Sequence, residues 1–115
     1  MLTEIDGKRI ILADDERHIA RLIHTNLTRR GYEVTMVAGG REAIAELEAN
    51  DFDFAILDLM MPYVDGYQVL TWIRSNERTV GMKVAMLVGD PEAWLSVTEA
   101  EHRADFYWKK SDFGV

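Results

Sequence analysis

The chain of 115 residues contains no cysteine, so disulfide bonds are excluded and a reducing compartment is compatible with it. Its apolar runs are too short for a membrane-spanning helix, and the polar stretch 1–8 lacks the apolar core of a signal peptide. Lys and Arg number 13 against 20 Asp and Glu, a net charge of −7. Nucleic-acid-binding domains show the opposite balance. We therefore expect a cytoplasmic protein that binds neither membrane nor nucleic acid.

Short apolar segments alternate with stretches in which apolar residues recur at helical spacing. Apolar residues make up 48% of the chain, and this length supports one core, so we expect a single domain over 1–115. The apolar runs predict strands buried on both faces, at 9–13, 32–37, 54–57, 84–88 and 106–108. Helices are predicted between the strands, and Pro91 suits the first turn of the fourth.

This strict alternation predicts an α/β fold, a doubly wound five-stranded parallel sheet with helices on both faces. Strands of this number and length fit the flavodoxin-like order 2-1-3-4-5. Ligands bind such sheets at the carboxyl ends of the strands, where the first and third strands are neighbours.

Acidic residues stand at that predicted edge. Asp14 and Asp15 follow the first strand, Asp58 follows the third, and Lys110 follows the fifth. Two carboxylates about 5 Å apart repel each other by roughly 3 kcal/mol at an effective dielectric near 20. In such a cluster of carboxylates, repulsion either raises the pKa of one carboxyl group or favours the binding of a cation. For Asp15 alone, a helix N-cap is an equally good interpretation.

The predicted group of oxygen ligands favours a hard cation, and Mg²⁺ is the natural choice because it keeps positions for water and phosphate. A carboxylate beside such a metal can attack a phosphoryl donor and become an aspartyl phosphate. The metal and a lysine would then neutralise the charge on the transferring group.

Several motifs in this order resemble the receiver domains of two-component response regulators. They are Ile-Leu-Ala-Asp-Asp-Glu at 11–16, Asp-Leu-Met-Met-Pro at 58–62, Asp-Gly at 65–66, and Ala-Asp-Phe-Tyr-Trp-Lys-Lys at 104–110. The resemblance covers almost the whole chain. It implies a phosphoacceptor domain that takes its phosphoryl group from a histidine kinase or a phosphotransfer protein. It also implies a domain that assists its own phosphorylation and dephosphorylation without turning over a separate substrate.

Carried over by position, the resemblance makes Asp58 the phosphoacceptor. Asp58 is also a Mg²⁺ ligand, Asp15 becomes a direct ligand and Asp14 a ligand acting through water, while the backbone carbonyl of Met60 completes the protein ligands. Lys110 becomes the lysine that pairs with the phosphoryl group.

The motif spacing favours Lys110 over its neighbour Lys109 for that role. Tyr107 matches the switch aromatic, three residues before the lysine. The other switch position, at the end of the fourth strand, usually carries Thr or Ser in this family but is Val88 here.

The missing hydroxyl at Val88 is the most consequential departure from the family pattern. A hydrogen bond to a charged group contributes about 1.5–3 kcal/mol, and allosteric couplings are typically about 1–3 kcal/mol. In addition, Ser111 replaces the usual proline, so Lys110 is expected to be held less firmly. Arg103 replaces a glycine, so the fourth helix is expected to end loosely. These changes keep open a second hypothesis, a degenerate receiver that acts as a phosphorylation-independent protein-interaction module.

The chain also stops at Val115, where receivers continue into a fifth helix. We expect that helix to be absent and one face of the last strand, bearing Phe106 and Trp108, to be uncovered. An apolar patch of this kind indicates a fragment of a longer regulator or self-association through that face.

Overall fold

The computed structural model describes residues 8–89, 92–93 and 102–113. Within these ranges the chain forms five strands, three α-helices and a short 3₁₀ helix. In order they are β1 Arg9–Ala13, α1 Arg17–Arg29, β2 Glu33–Val37, α2 Gly40–Ala49, β3 Phe54–Asp58, α3 Gly66–Arg74, β4 Lys83–Val88, β5 Phe106–Lys109 and the 3₁₀ helix Lys110–Phe113. The fourth helix predicted from Pro91 and its loose end lie outside the described residues, apart from Glu92 and Ala93.

All five strands are parallel and lie in the order β2-β1-β3-β4-β5. The predicted α/β fold and strand order are confirmed. Ala13 at the end of β1 pairs with Leu57, and Asp58 at the end of β3 pairs with Leu87. The carboxyl ends of β1, β3 and β4 therefore meet at one edge, and residues that follow these strands are brought together there.

Two apolar layers cover the sheet because each central strand turns alternate side chains to opposite faces. Ile11, Leu57 and Met86 pack with α2 and α3 on one face. Leu12, Ile56 and Leu87 pack with α1 on the other. The interiors of these strands are apolar because neither face meets water, so their polar residues lie at the strand ends.

Arg74, at the end of α3, ties the amino ends of β4 and β5 together. Its guanidinium donates to the carbonyl oxygens of Val80 (3.0 Å), Met82 (2.7 Å) and Arg103 (3.4 Å), and to Asp105 Oδ2 (2.9 Å). Asp105 also accepts from the Val84 amide at 2.8 Å. Although burial opposes it, this hydrogen bond together with Arg74 lowers the pKa of Asp105. The contacts of Arg74 and Asp105 thus hold the amino end of β5 without involving its carboxyl end.

The exposed face of β5 carries a row of aromatic rings. Trp108 lies between Phe54 and Phe113, with ring centroids 6.2 Å and 6.1 Å away, and Phe106 is 46% exposed at the edge of the row. Phe113 reaches this row because the 3₁₀ helix turns the chain back toward α1. Trp108 is half-buried, so the predicted apolar patch is smaller than the sequence indicates and is centred on Phe106.

Between α1 and β5 lies a groove of about 340 Å³, and apolar side chains form most of its walls. Its lining residues are Ile23, Asn26, Leu27, Arg30, Ile56, Trp108, Asp112 and Phe113.

Among the described residues, no helix has the length and apolar character needed to cross a bilayer.

Candidate phosphoacceptor site

Asp14 lies where β1 ends and the chain turns toward α1. Its amide donates to the Val37 carbonyl at 3.2 Å, which continues the sheet by one residue. The residue is 2% exposed, and Oδ1 accepts the Glu16 amide at 2.9 Å. A buried carboxylate is therefore held at the sheet edge by the turn that follows the strand.

Asp58 ends β3 directly beside Asp14 and is also 2% exposed. Its Oδ1 accepts the Met60 amide at 3.3 Å, and the Leu59 amide bonds to the Leu87 carbonyl of β4 at 2.9 Å. The loop then returns to α3, where Asp65 caps the helix in a reciprocal pair of hydrogen bonds with Gln68. The loop holding Asp58 is therefore anchored at both ends.

Gly66 explains why the Asp-Gly pair follows this loop. Its amide donates to the Leu59 carbonyl at 2.9 Å. A Cβ atom at this position would lie 2.4 Å from the Asp58 carbonyl oxygen and 2.8 Å from Met86 Sδ. Only glycine allows the start of α3 to pack this closely against the backbone of Asp58.

Lys110 enters the site from the 3₁₀ helix that follows β5. Its Nζ lies 3.1 Å from Asp58 Oδ2 and 3.3 Å from Asp14 Oδ1, and it makes its shortest contact with Glu16 Oε1. Lys110 is 9% exposed, whereas its neighbour Lys109 is exposed. The structure thus brings Lys110, and not Lys109, to the carboxylates.

Burial and neighbouring charges shift the pKa values of Asp58 and Lys110 strongly. Burial, reinforced by a hydrogen bond and repulsion from Asp14, raises the pKa of Asp58 to about 8, although Lys110 works in the opposite direction. Burial alone would lower the pKa of Lys110, but the hydrogen bond to Glu16 and the charges of Asp58 and Asp14 raise it well above its usual value. The lysine therefore stays charged, and the pocket without metal favours a proton on Asp58 at neutral pH.

The predicted residues do not all converge. Asp15 is exposed, and the group of carboxylate oxygens within 4.8 Å of one another comes from Asp14, Glu16 and Asp58. Glu16, not Asp15, is the N-cap residue of α1, and its side chain makes no capping hydrogen bond. The Met60 amide donates to Asp58, and the residue is 64% exposed. Sequence reasoning missed Glu16, which carries only the weak signal of following the acidic pair.

The donor set fits a hard divalent cation. Asp14 Oδ2 is buried and has no hydrogen-bond partner within the described residues. Leaving such an atom unsatisfied is costly, and carboxylate oxygens are the ligands Mg²⁺ prefers. The residues present therefore suit Mg²⁺ at this position.

The two positions predicted to form the switch differ in the groups that they carry. Val88 is buried at the end of β4 beside Lys109 of β5, and its side chain has no hydrogen-bond donor. The Tyr107 ring packs against the core, and its hydroxyl accepts the Ala104 amide at 2.9 Å. The tyrosine is thus tied to the chain that leads into β5.

Comparison with known proteins agrees with this geometry. Residues 10–111 match the response regulator receiver domain family. The transcriptional regulatory protein GltR of Pseudomonas aeruginosa is 38% identical over 108 residues, covering 91% of this chain and 43% of GltR. The regulator PhoP of Bacillus subtilis is 34% identical over 104 residues, covering 90% of this chain and 42% of PhoP. The chain therefore spans less than half the length of these relatives.

Solved structures show the same likeness. A CheY-like receiver protein from Methanospirillum hungatei is 30% identical, with a TM-score of 0.80 over 91% of this chain and 82% of that one. TrrA of Thermotoga maritima, solved in complex with Mg²⁺ and BeF, is 29% identical, with a TM-score of 0.77 over 89% of this chain and 85% of that one. The chain belongs to the response regulator receiver domain family and is a receiver domain of two-component signalling.

Proposed function

We propose that Asp58 accepts a phosphoryl group from the phosphohistidine of a histidine kinase or phosphotransfer protein while Mg²⁺ is bound at the same pocket. One observation carries the proposal. Asp58 is buried against the Lys110 ammonium and beside an unpartnered oxygen of Asp14. The pocket thus combines a nucleophile, a fixed positive charge and an oxygen available to a metal.

The side chains have separate tasks in this transfer. An Asp58 carboxylate oxygen attacks phosphorus, a new O–P bond forms, and the N–P bond to the donor imidazole breaks with its electron pair left on nitrogen. Lys110, already 3.1 Å from Asp58 Oδ2, then pairs with the phosphoryl oxygens. Mg²⁺, when bound, supplies positive charge against those oxygens. We propose Asp14, Asp15, Asp58 and the Met60 carbonyl as its ligands.

This function uses the chain as one regulatory unit over 1–115, located in the cytoplasm with its phosphodonor. The domain would promote its own phosphorylation and dephosphorylation rather than turn over a separate substrate. Val88 removes one hydrogen bond to the phosphoryl group, so the conformational response is expected to be weaker than the chemistry. Tyr107, held by Ala104 at the start of β5, would transmit that response.

The first test is intact mass spectrometry after incubation with Mg²⁺ and phosphoramidate. We expect one phosphoryl adduct, because Asp58 is the nearer of the two buried carboxylates to the Lys110 ammonium and Asp14 is held by the Glu16 amide. The adduct should disappear when the metal is chelated, since the negative charges of Asp14, Glu16 and the donor then oppose transfer. A folded protein that shows no adduct, under conditions that phosphorylate another receiver, would instead support the interaction-only hypothesis.

We also propose that a second copy of this chain covers the aromatic face of β5. Arg30 and Asp112 carry opposite charges on the same groove. Around a two-fold axis, Arg30 of one copy can therefore face Asp112 of the other. Phe106 would supply the exposed apolar contact.

Sedimentation equilibrium tests this pairing. We expect a concentration-dependent dimer that Phe106→Glu abolishes, because the substitution places a charge in an apolar contact. Val80→Glu is the matched control, since Val80 is similarly exposed (49%) but lies before β4. A compact monomer at high concentration would contradict self-association.

A further inference from the structure

Lys110 has no free N–H group for a phosphoryl oxygen. An ammonium has three donors, and Nζ contacts three carboxylates, those of Asp58, Asp14 and Glu16. Transfer to Asp58 therefore requires at least one of these contacts to break. The order in which they can break follows from the burial of each partner.

Asp14 and Asp58 cannot easily withdraw. The Asp14 side chain has no exposed surface and Asp58 only 2%, and the turns after β1 and β3 hold both residues. Glu16, in contrast, is 63% exposed in its side chain. It can rotate into water, where its charge is fully solvated, without opening the core.

The helix does not require this side chain either. Glu16 occupies the N-cap position of α1, but its carboxylate caps no amide. Its backbone carbonyl accepts the Ala20 amide at 3.1 Å, and its own amide is bound by Asp14. The backbone of Glu16 thus serves the turn, while the carboxylate is directed at Lys110.

We propose that Glu16 is a positioning residue that clasps the Lys110 ammonium before phosphorylation and must release it for the phosphoryl group. Given the proposed function, this clasp slows the phosphorylation of Asp58. It stabilises the unphosphorylated pocket relative to the transition state, in which Lys110 faces the incoming oxygens. Loss of the clasp should therefore accelerate transfer.

The test measures the rate of adduct formation with phosphoramidate at saturating Mg²⁺ for the full chain and three variants. Glu16→Gln removes the charge. Glu16→Asp keeps the charge but is one methylene too short to hold Lys110. We expect both to accelerate phosphorylation by about two- to fivefold, the range set by an ion pair with one exposed partner. Glu77→Gln, an exposed residue between α3 and β4, is the control and should match the unmodified protein.

A second measurement reads the clasp without phosphorylation. The Lys110 ammonium resonance should exchange its protons more rapidly with water in both Glu16 variants than in the unmodified protein. Unchanged exchange, or acceleration by Glu16→Gln alone, would overturn the clasp and assign the effect to general repulsion of the donor. Adduct formation at equal rates in all proteins would overturn the clasp alone. Absence of any adduct on the unmodified protein would overturn both the proposed function and the slowing effect of the clasp.

Discussion

Replacing Asp58 by asparagine is expected to abolish the phosphoryl adduct completely. An amide is not a nucleophile toward phosphorus, and the other carboxylates at the pocket are poorly placed to substitute. Asp14 is held in the turn after β1, and Glu16 lies at the exposed rim of the pocket. Intact mass spectrometry with Mg²⁺ and phosphoramidate should therefore show only the unmodified mass. Asp53→Asn, at the amino end of the same strand, is the matched control and should be phosphorylated normally.

The same substitution is expected to stabilise the metal-free protein. The pKa of Asp58 is raised to about 8 in the fold from an ordinary value of 3.8. Between these values the folded protein binds a proton that the unfolded chain has released, so stability falls as pH rises, by at most about 1.4 kcal/mol per pH unit. Asparagine has no charge to bury and removes this slope.

Urea unfolding at several pH values between 4 and 8, in the presence of a chelator, measures the effect. The unmodified protein should lose stability toward pH 8 relative to Asp58→Asn, with the two most alike near pH 4. If the difference in stability shrinks as pH rises, the pKa of Asp58 is not raised. If the asparagine variant is still phosphorylated, Asp58 is not the phosphoacceptor.

The fold could be predicted from the sequence because its strands are buried on both faces. A parallel sheet leaves few polar residues within its central strands, so the apolar runs around Ile11, Ile56 and Ala85 reveal the strands almost to the residue. Strand β2 was less well defined, since Tyr32 is buried but precedes the strand. Tyr32 serves the core from the turn after α1, and burial alone does not distinguish that from a strand.

The site could be predicted only as far as the strand ends determine it. The positions of Asp14, Asp58 and Lys110 follow from the strand order, which places them at one edge. The contribution of Glu16 could not be predicted, because it depends on side-chain direction in the turn after β1, where Asp15 is exposed and the Glu16 carboxylate lies close to those of Asp14 and Asp58. Likewise, the return of Phe113 onto Trp108 depends on a 3₁₀ helix that has no distinctive sequence pattern.

Replacing Lys110 by methionine is expected to destabilise the metal-free protein severely. Methionine fills much of the same space, but Asp14, Glu16 and Asp58 lose their shared positive partner. Removing one partner of a buried ion pair typically costs about 3–5 kcal/mol. Lys110 also lowers the pKa of Asp58, so its loss raises that pKa further and extends to higher pH the range over which stability falls with rising pH. Lys109→Met, on an exposed neighbour, should change stability by no more than about 0.5 kcal/mol.

Mg²⁺ should restore part of the stability that Lys110→Met loses, because a bound cation replaces the missing positive charge among the same carboxylates. Urea unfolding with and without Mg²⁺ measures this recovery. Phosphorylation should stay slow even at saturating Mg²⁺, since the metal restores the charge of the pocket but not the ammonium that faces the phosphoryl oxygens. Recovery of stability without recovery of rate would separate the two roles of Lys110. Full recovery of both would mean that the lysine only balances charge, and no recovery of stability would mean that these carboxylates do not hold the metal.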